Sequence, residues 1–340
     1  MRVIFRADAS RHLGAGHVMR CLTLADELAR RGARCHFLCR QTEGHLGGLI
    51  LARGHGLELI PDLADWREDA AACLVALDRA AVGQADWLVV DHYRLDRGWE
   101  LALAPRAARL LVLDDMADRA HHCQLLLDQN LQPPGRYLPW VEPDCTCLLG
   151  PEYALLRPGF RHYRPAAPRR LPQVARLLVF FGGGDESNET GKVLDALPDL
   201  PVAVDVVIGG AHGHRDALAD LCAGLPDCRA HFQVDDMAAL MAQADLALGA
   251  TGVSTWERAC LGLPALVVSV ADNQHPIARA GQEAGLHTWL GPAWEVDTAA
   301  WRAALVQVLA HPGSLAAQSA AGLARVDGLG AERVADRMST

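Results

Sequence analysis

A histidine that follows two glycines is the part of this sequence best suited to chemistry. Gly14, Gly16 and His17 lie between a short apolar segment, 2–7, and a segment, 18–31, in which apolar residues recur at helical spacing. We therefore expect the glycines on a strand-to-helix turn, where the backbone can approach a ligand closely. The positive end of a helix disfavours imidazolium, so His17 is predicted to be a neutral proton acceptor. The alternative interpretation is a phosphate-binding turn whose histidine is incidental.

Carboxylates follow two of the predicted strands. Asp91 comes directly after the segment 86–90, and Asp114 and Asp115 come directly after the segment 110–113. In a parallel sheet the carboxyl ends of the strands share one edge, and ligands bind at that edge. Acidic side chains there can orient a base or bind a sugar hydroxyl. For Asp114 and Asp115 an equal alternative is that they cap the next helix.

Glycine-rich turns recur in the second half of the chain. Gly183 and Gly184 follow one predicted strand, and Gly252 and Ser254 follow another. Such turns present amides and hydroxyls to phosphate at a helix start, so two of them suit a diphosphate. Neither turn matches the Walker or the dinucleotide-binding pattern. Glu257 lies three residues after Ser254, which predicts a capping box, with ligand binding as the alternative role.

The elements that must position these residues follow an alternating pattern. Near-continuous apolar strands and amphipathic helices predict parallel α/β sheets covered on both faces. Dense prolines between residues 132 and 172 predict a segment without regular structure. The predicted strands are 2–7, 35–39, 57–60, 86–90, 110–113, 125–127, 177–181, 202–208, 231–234, 246–248 and 265–270, and the predicted helices are 18–31, 45–53, 69–82, 237–244, 254–261, 274–284 and 331–338.

The length of 340 residues exceeds that of one ordinary core, so two domains are expected. The fold prediction is two Rossmann-like, doubly wound α/β domains facing across a cleft. The first, 1–164, carries the histidine loop, and the second, 165–325, binds a diphosphate. A C-terminal helix within 326–340 is predicted to cross back to the first domain.

Composition excludes several classes of protein. The formal net charge of −9, with no basic run, argues against a nucleic-acid or membrane-surface binder. The chain starts directly into a strand and has no apolar run of membrane-spanning length, so a cytoplasmic protein is expected. Ten scattered cysteines without a C-x-x-C pair predict reduced, buried thiols. The histidine clusters lack the spacing of metal ligands, so no metal site and no cofactor are predicted.

Several motifs together resemble one known family. They are Phe5-Arg6-Ala7-Asp8-Ala9-Ser10, Gly14-Ala-Gly16-His17-Val-Met-Arg20-Cys21-Leu22, Asp91-His92-Tyr93, Gly150-Pro-Glu-Tyr153-Ala-Leu-Leu-Arg157, Phe181-Gly-Gly-Gly-Asp185 and Asn273-Gln274. The chain resembles the nucleotide-sugar hydrolases of pseudaminic acid biosynthesis, which release UDP from UDP-2,4-diacetamido-2,4,6-trideoxy-β-L-altropyranose. That family is similar in fold to GT-B glycosyltransferases, particularly the lipid II N-acetylglucosaminyltransferase.

The resemblance implies a UDP-sugar as the small-molecule partner and an inverting, metal-independent hydrolysis without a cofactor. It assigns the catalytic base to His17 and ribose binding to Glu257. The residues it implies for substrate binding are Asp8, Gly14, Gly16, Asp91, Tyr93, Tyr153, Arg157, Gly183, Gly184, Gly252, Ser254, Glu257, Asn273 and Gln274. The alternative is a GT-B glycosyltransferase with a UDP-sugar donor, against which the acidic balance argues mildly. Oligomeric state and the exact sugar are left open by the sequence.

Overall fold

The structure is a computed structural model of the chain, and it describes residues 1–11, 13–133, 135–210, 212–232 and 234–340. The described residues form two compact units. Met1–Leu155 and Leu329–Thr340 make the first unit, and Leu156–Gly328 makes the second. The division falls after Leu155, whereas the sequence prediction placed it near residue 165.

The first unit is built on a seven-stranded parallel sheet. Its strands in spatial order are β3-β2-β1-β4-β5-β6-β7. Ile4 and Phe5 pack into different cores on opposite sheet faces because successive strand residues alternate in direction. The strands are β1 (Arg2–Ala7), β2 (Arg34–Arg40), β3 (Gly56–Ile60), β4 (Ala85–Asp91), β5 (Ala107–Leu113), β6 (Leu125–Asp128) and β7 (Thr146–Leu149), and the helices are α1 (Gly16–Arg30), α2 (Gly47–Ala52), α3 (Trp66–Arg79) and α4 (Arg97–Leu103).

The second unit is built on a six-stranded parallel sheet in the order β10-β9-β8-β11-β12-β13. Its strands are β8 (Arg176–Phe180), β9 (Ala203–Ile208), β10 (Cys228–Phe232), β11 (Leu246–Ala250), β12 (Ala265–Ser269) and β13 (Thr288–Pro292). Its helices are α5 (Pro158–His162), α6 (Glu189–Ala196), α7 (Arg215–Ala223), α8 (Met237–Gln243), α9 (Val253–Cys260), α10 (His275–Glu283), α11 (Thr298–Ala310) and α12 (Leu315–Arg325). The prediction of two parallel α/β sheets is confirmed.

The last helix, α13 (Gly330–Ser339), packs on the first unit. Val334 and Met338 are fully buried in the same core as α1. The Trp87 indole N–H donates to the Met338 carbonyl at 2.9 Å, and Asp336 pairs with Arg31 at 2.5 Å. The end of the chain therefore completes one face of the first sheet.

The proline-dense segment contains regular structure, so that prediction is wrong. It holds strand β7 and helix α5. Pro158 is the first residue of α5, a position where the missing N–H costs no hydrogen bond and the fixed φ suits the helix. The prolines therefore lie between or at the start of short elements and do not prevent those elements from forming.

The prediction that all thiols are reduced is also wrong, because Cys222 and Cys228 form a disulfide. Helix α7 ends one residue after Cys222, and β10 begins at Cys228. The tight return between the two elements leaves their Cα atoms 5.3 Å apart. The other eight cysteines are free, and six of them are buried.

Candidate active site

His17 lies in the first turn of α1, as the glycine turn predicts, and is 5% exposed. Its Nδ1 atom lies 2.5 Å from Oδ1 of Asp91, the last residue of β4. An ionised carboxylate can only accept, so Nδ1 carries the proton and Nε2 is left as the acceptor. Strand pairing aligns Ala7 with Asp91, which brings the loop after β1 beside the end of β4.

Arg20, one turn along α1 from His17, clamps Asp91 from the other side. Its Nε donates to Oδ2 at 2.5 Å and its Nη2 donates to Oδ1 at 2.6 Å. Burial raises the pKa of Asp91, but the charge of Arg20 and the hydrogen bonds that Arg20 and His17 donate outweigh burial and hold that pKa well below its usual range. Asp91 is therefore an ionised carboxylate beneath His17, fully buried, where it can orient a base.

Arg20 was not among the candidate site residues. Its spacing of three residues from His17 places both side chains on one face of α1, and this i, i+3 relation was a usable signal. Arg20 belongs to the motif that carries the family resemblance, but no pattern in the sequence pairs it with a carboxylate 71 residues away.

A cavity of about 410 Å³ opens beside His17 within the first unit. Tyr93 meets His17 edge to face, with ring centroids 4.5 Å apart. His17 lines this cavity, and the Nδ1 edge of its ring is turned to Asp91. Its polar lining includes Asp8, Ser10, His17, Arg40, His92 and Tyr93.

Asp8 sits in this cavity wall at the end of a buried ionic network. Its Oδ1 accepts from Arg6 Nη1 at 2.6 Å and from the Arg40 amide at 2.7 Å. Behind them Asp69 pairs with Arg6 at 2.7 Å and with Arg40 at 2.8 Å. Burial raises the pKa of Asp8, and Arg6 together with His92 holds it well below its usual range. Asp8 is thus a fixed, ionised carboxylate.

The helix-cap alternative for Asp114 is wrong, because the described loop between β5 and β6 contains no helix, and Asp114 instead bonds the backbone of that loop. Its Oδ2 accepts from the amides of Met116 at 3.1 Å and Ala117 at 2.7 Å. Asp115 instead lies 3.6 Å from Arg20 Nη1, and burial raises the pKa of Asp115. The two adjacent acids therefore have different surroundings, although the sequence analysis treated them alike.

The remaining predicted residues of the first unit lie close to the His17 turn or on its core. Gly14 has a φ of 77°, a conformation that side-chain-bearing residues rarely adopt, and its amide donates to Ser10 at 2.9 Å. Gly16 is the first residue of α1. Tyr153 is partly buried against the core that contains α1.

In the second unit, the glycine turn after β8 leads into α6. Asp185 accepts from the amides of Glu189 and Thr190, each at 2.9 Å, so the first amides of α6 bond within the chain. Gly183 and Gly184 precede this cap in the loop. A Cβ on Gly209 would overlap the carbonyl of Gly183, so the loop after β9 packs directly on the glycine turn.

The turn after β11 differs from the predicted capping box. Gly252 is the N-cap of α9, with a φ of 131°, and no side chain caps this helix. The helix begins one residue earlier than predicted, so Ser254 lies inside it and not at the cap position. The Ser254 hydroxyl donates to the Ala250 carbonyl at 3.3 Å instead of capping. Glu257 lies 3.5 Å from Arg157 Nη2, and its side chain is 14% exposed. Burial raises the pKa of Glu257, and Arg157 opposes that shift. The capping-box interpretation of Glu257 is wrong.

Asn273 and Gln274 follow β12 in a short 3₁₀ turn. Gln274 Oε1 accepts from the Val270 amide at 3.0 Å and lies 3.4 Å from the Thr251 hydroxyl, so it ties the turn after β12 to the turn after β11. Asn273 is exposed. In this unit the structure thus brings Arg157 to Glu257 and places Gln274 beside the Gly252 turn.

In the part of the chain that the structure describes, no group of three histidine, cysteine or acidic side chains is arranged to hold a metal ion. His121 bonds Glu100 at 2.6 Å, and His212 lies 3.2 Å from Asp185. No helix among the described residues is both long enough and apolar enough to span a bilayer.

No protein-family model matches the chain. It is 34% identical over 158 residues to the spore coat polysaccharide biosynthesis protein SpsG of Bacillus subtilis, covering 45% of this chain and 46% of that protein. It is 22% identical over 278 residues to the uncharacterized protein MJ1062 of Methanocaldococcus jannaschii, covering 79% of this chain and 55% of that protein. The chain thus spans about half the length of these two relatives.

A third relative carries the name that the motifs resemble. The chain is 27% identical over 205 residues to the UDP-2,4-diacetamido-2,4,6-trideoxy-beta-L-altropyranose hydrolase of Campylobacter jejuni, covering 59% of this chain and 68% of that protein. The chain is therefore similar to a named nucleotide-sugar hydrolase at modest identity.

Solved structures of glycosyltransferases share the architecture. MurG of Acinetobacter baumannii superposes with a TM-score of 0.69 at 14% identity, covering 99% of both chains. The calicheamicin glycosyltransferase CalG4 superposes with a TM-score of 0.65 at 20% identity, covering 100% of this chain and 98% of that one. The spinosyn rhamnosyltransferase SpnG, complexed with thymidine diphosphate, superposes with a TM-score of 0.65 at 19% identity, covering 99% of this chain and 100% of that one. The chain has the GT-B fold, as predicted.

Proposed function

We propose that this chain hydrolyses a UDP-linked 2,4-diacetamido-2,4,6-trideoxyhexose, the β-L-altropyranose, to the free sugar and UDP. The observation that carries the proposal is the buried pair of His17 and Asp91, 2.5 Å apart at the edge of a cavity. The similarity to the named Campylobacter hydrolase supports the choice of substrate.

In the proposed reaction His17 is the general base. Water forms a bond to the anomeric carbon while the bond from that carbon to the diphosphate oxygen breaks, and Nε2 takes the proton of the water. Asp91 then stabilises the imidazolium through Nδ1. A positioned base of this kind increases the reaction rate by roughly 10²–10⁴-fold. Direct attack inverts the anomeric centre and needs neither a covalent carboxylate nor a metal.

We further propose that the second unit binds UDP, within the predicted domain 165–325. Glu257 would accept the ribose hydroxyls, and its partner Arg157 carries the positive charge nearest to it. The turns at Gly183 and Gly252 would approach the diphosphate, where backbone amides stabilise the charge that develops on the leaving group. Gly184 and Ser254 extend these two turns.

The sugar would lie on the side of His17. Tyr93, which already packs on the His17 ring, and Tyr153 are the proposed contacts from the first unit. Within the second unit, Asn273 is a proposed ligand contact in the turn after β12, which Gln274 holds in place.

A glycosyltransferase is the second candidate, because the solved structures named above are glycosyltransferases of the same fold. A base at His17 could deprotonate an acceptor hydroxyl as readily as water. The two candidates differ in whether UDP is released when water is the sole acceptor.

The test incubates the purified protein with the UDP-sugar in ¹⁸O-labelled water containing a chelator. NMR follows the release of UDP and the anomer formed, and mass spectrometry locates the label. We expect labelled free sugar, with the first anomer inverted. Replacing His17 with Asn should lower turnover about 10²-fold or more, with unchanged UDP affinity, whereas the exposed His162→Asn control should keep the wild-type rate. UDP release that requires an added acceptor would favour the transferase.

A further inference from the structure

A second cavity of the first unit opens at the amino ends of its strands, the edge of the sheet opposite His17. Its volume is about 400 Å³. Arg2 begins β1, Arg34 begins β2, and Arg53 directly follows α2, and all three line the cavity. No acidic residue is among its described lining residues. In a chain with a formal net charge of −9, this is a local concentration of positive charge.

Two carboxylates beside the cavity offset part of this charge. Asp26 pairs with Arg53 Nη1 at 2.5 Å and with His55 Nε2 at 2.9 Å. Asp86 accepts from the backbone N–H of Arg2 at 2.6 Å. Three guanidinium groups therefore face two carboxylates, which leaves one formal positive charge in excess.

The guanidinium of Arg34 is available to a ligand, because it makes no hydrogen bond or ion pair with a described residue. Helices α1, α2 and α3 end at this edge, and helix ends of this kind carry partial negative charge. Other arginines bond the carbonyls near these ends, as Arg2 does with Gln84 at 3.3 Å and Arg106 does with Val82 at 2.8 Å. Arg34 donates to no such carbonyl, so the stabilisation of helix ends does not account for it.

A buried histidine also reaches this cavity. His55 is 6% exposed and lines the cavity, and its Nε2 is held by Asp26. Its Nδ1 bonds to no described residue and is accessible to solvent. In the neutral ring this nitrogen accepts from a phosphate hydroxyl, and in the protonated ring it donates to a phosphate oxygen. His55 can therefore bond a phosphate group in either state.

We propose that this cavity is a second ligand site, which binds a small phosphate-bearing anion. Arg34 and Arg2 supply charge-assisted donors, and guanidinium groups suit phosphate oxygens. His55 supplies a further polar contact from the cavity wall. The volume lies within the range of small-molecule sites, about 300–1,000 Å³, so the phosphate can carry an organic group. The site uses none of the residues of the proposed hydrolysis and does not depend on it.

The test measures the binding of inorganic phosphate and of glycerol 3-phosphate to the full chain by calorimetry. Arg34→Gln should weaken binding at this site by about 10-fold, the lower end for hydrogen bonds to charged groups. Arg170→Gln is the matched control, because Arg170 is an exposed arginine of the second unit and its loss changes the net charge equally. We expect this control to bind as the wild type does. Tighter binding of glycerol 3-phosphate would identify the ligand as a phosphate monoester, and equal binding would identify it as free phosphate.

Phosphate that binds to the glycine turns of the second unit is unaffected by Arg34→Gln, so the comparison isolates this cavity. Equal affinity in Arg34→Gln and wild type would overturn the proposal, as would an equal loss in Arg170→Gln or the absence of saturable binding by the wild type. Sedimentation with vesicles of phosphatidylcholine and phosphatidic acid is measured in parallel. Sedimentation that depends on Arg34, without binding of either soluble probe, would assign the arginines to a membrane surface and also overturn the proposal.

Discussion

We propose that Arg20 sets the condition under which His17 acts as the base, and the replacement of Arg20 by Met tests this role. The Asp91 carboxylate is shared between His17 and Arg20. Without the guanidinium, the full negative charge of Asp91 faces the imidazole and stabilises its protonated form. A protonated His17 cannot accept a proton from water, so Arg20→Met should lower activity at neutral pH.

The size of the expected shift in the pH profile follows from the distance between Arg20 and His17. Arg20 Nη2 lies 3.4 Å from His17 Nδ1, so a positive charge borders the ring directly. At an effective dielectric constant of about 20, repulsion between a guanidinium and an imidazolium about 5 Å apart is about 3 kcal/mol. This corresponds to about two pH units. Removing this charge should therefore move the acid limb of the rate profile to higher pH by about one to two units.

The assay measures kcat/KM for UDP release from pH 5 to pH 9.5, with the affinity for UDP as the control for the second unit. Removing Arg20 also leaves Asp91 undercompensated, a loss of about 3–5 kcal/mol of stability for a broken buried pair, so melting temperatures are recorded. Arg20→Lys retains the charge and should keep the acid limb near its wild-type position. A profile that falls uniformly in Arg20→Met, without moving along the pH axis, would refute this account and leave Arg20 a structural role alone.

Two further predictions concern Glu257 and His121. Glu257→Ala should weaken UDP binding by about 1–3 kcal/mol, the loss of hydrogen bonds from ribose, and calorimetry measures it; a variant that binds UDP normally and only melts lower would rule out the ligand role. Burial lowers the pKa of His121, but Asp114 and Glu100 outweigh burial and raise it to about 9. His121 therefore contributes up to about 3 kcal/mol of stability below pH 6.5, and this is lost as pH rises through about 9. Melting temperatures should fall over that range in the wild type and change less in His121→Gln; parallel curves for both would contradict the charged state.

The sequence alone was enough to predict the two parallel α/β sheets. Apolar runs such as 86–90 can be covered on both faces only inside such a sheet, and helical spacing after Gly16 identified α1. Boundaries were less accurate where a side chain starts the helix. Helix α3 begins at Trp66, three residues before its prediction, because Asp65 accepts from the Arg67 amide. No range was predicted for strands β7 and β13 or for helices α4, α5, α6, α7, α11 and α12.

The sequence also placed His17 and Asp91 at the same edge of the first sheet, because the carboxyl ends of parallel strands lie together. It could not show that their side chains meet at 2.5 Å or that Arg20 shares the carboxylate, since partners 71 and 74 residues apart leave no local pattern. The same limit explains why the role of Glu257 was mispredicted. Its spacing from Ser254 suggested a cap, whereas its partner Arg157 is distant in the sequence.

Only tertiary structure decided these contacts. Glu257 faces Arg157, which is one hundred residues earlier in the chain, and Asp8 is held by Arg6 and by the backbone of Arg40. Local periodicity reports which side of an element is buried, whereas the pairing of buried charges depends on which strands become neighbours and in what register. Hydrophobic spacing thus determined the framework of this protein, and the register of β1 against β2 and β4 determined the charge network of its candidate site.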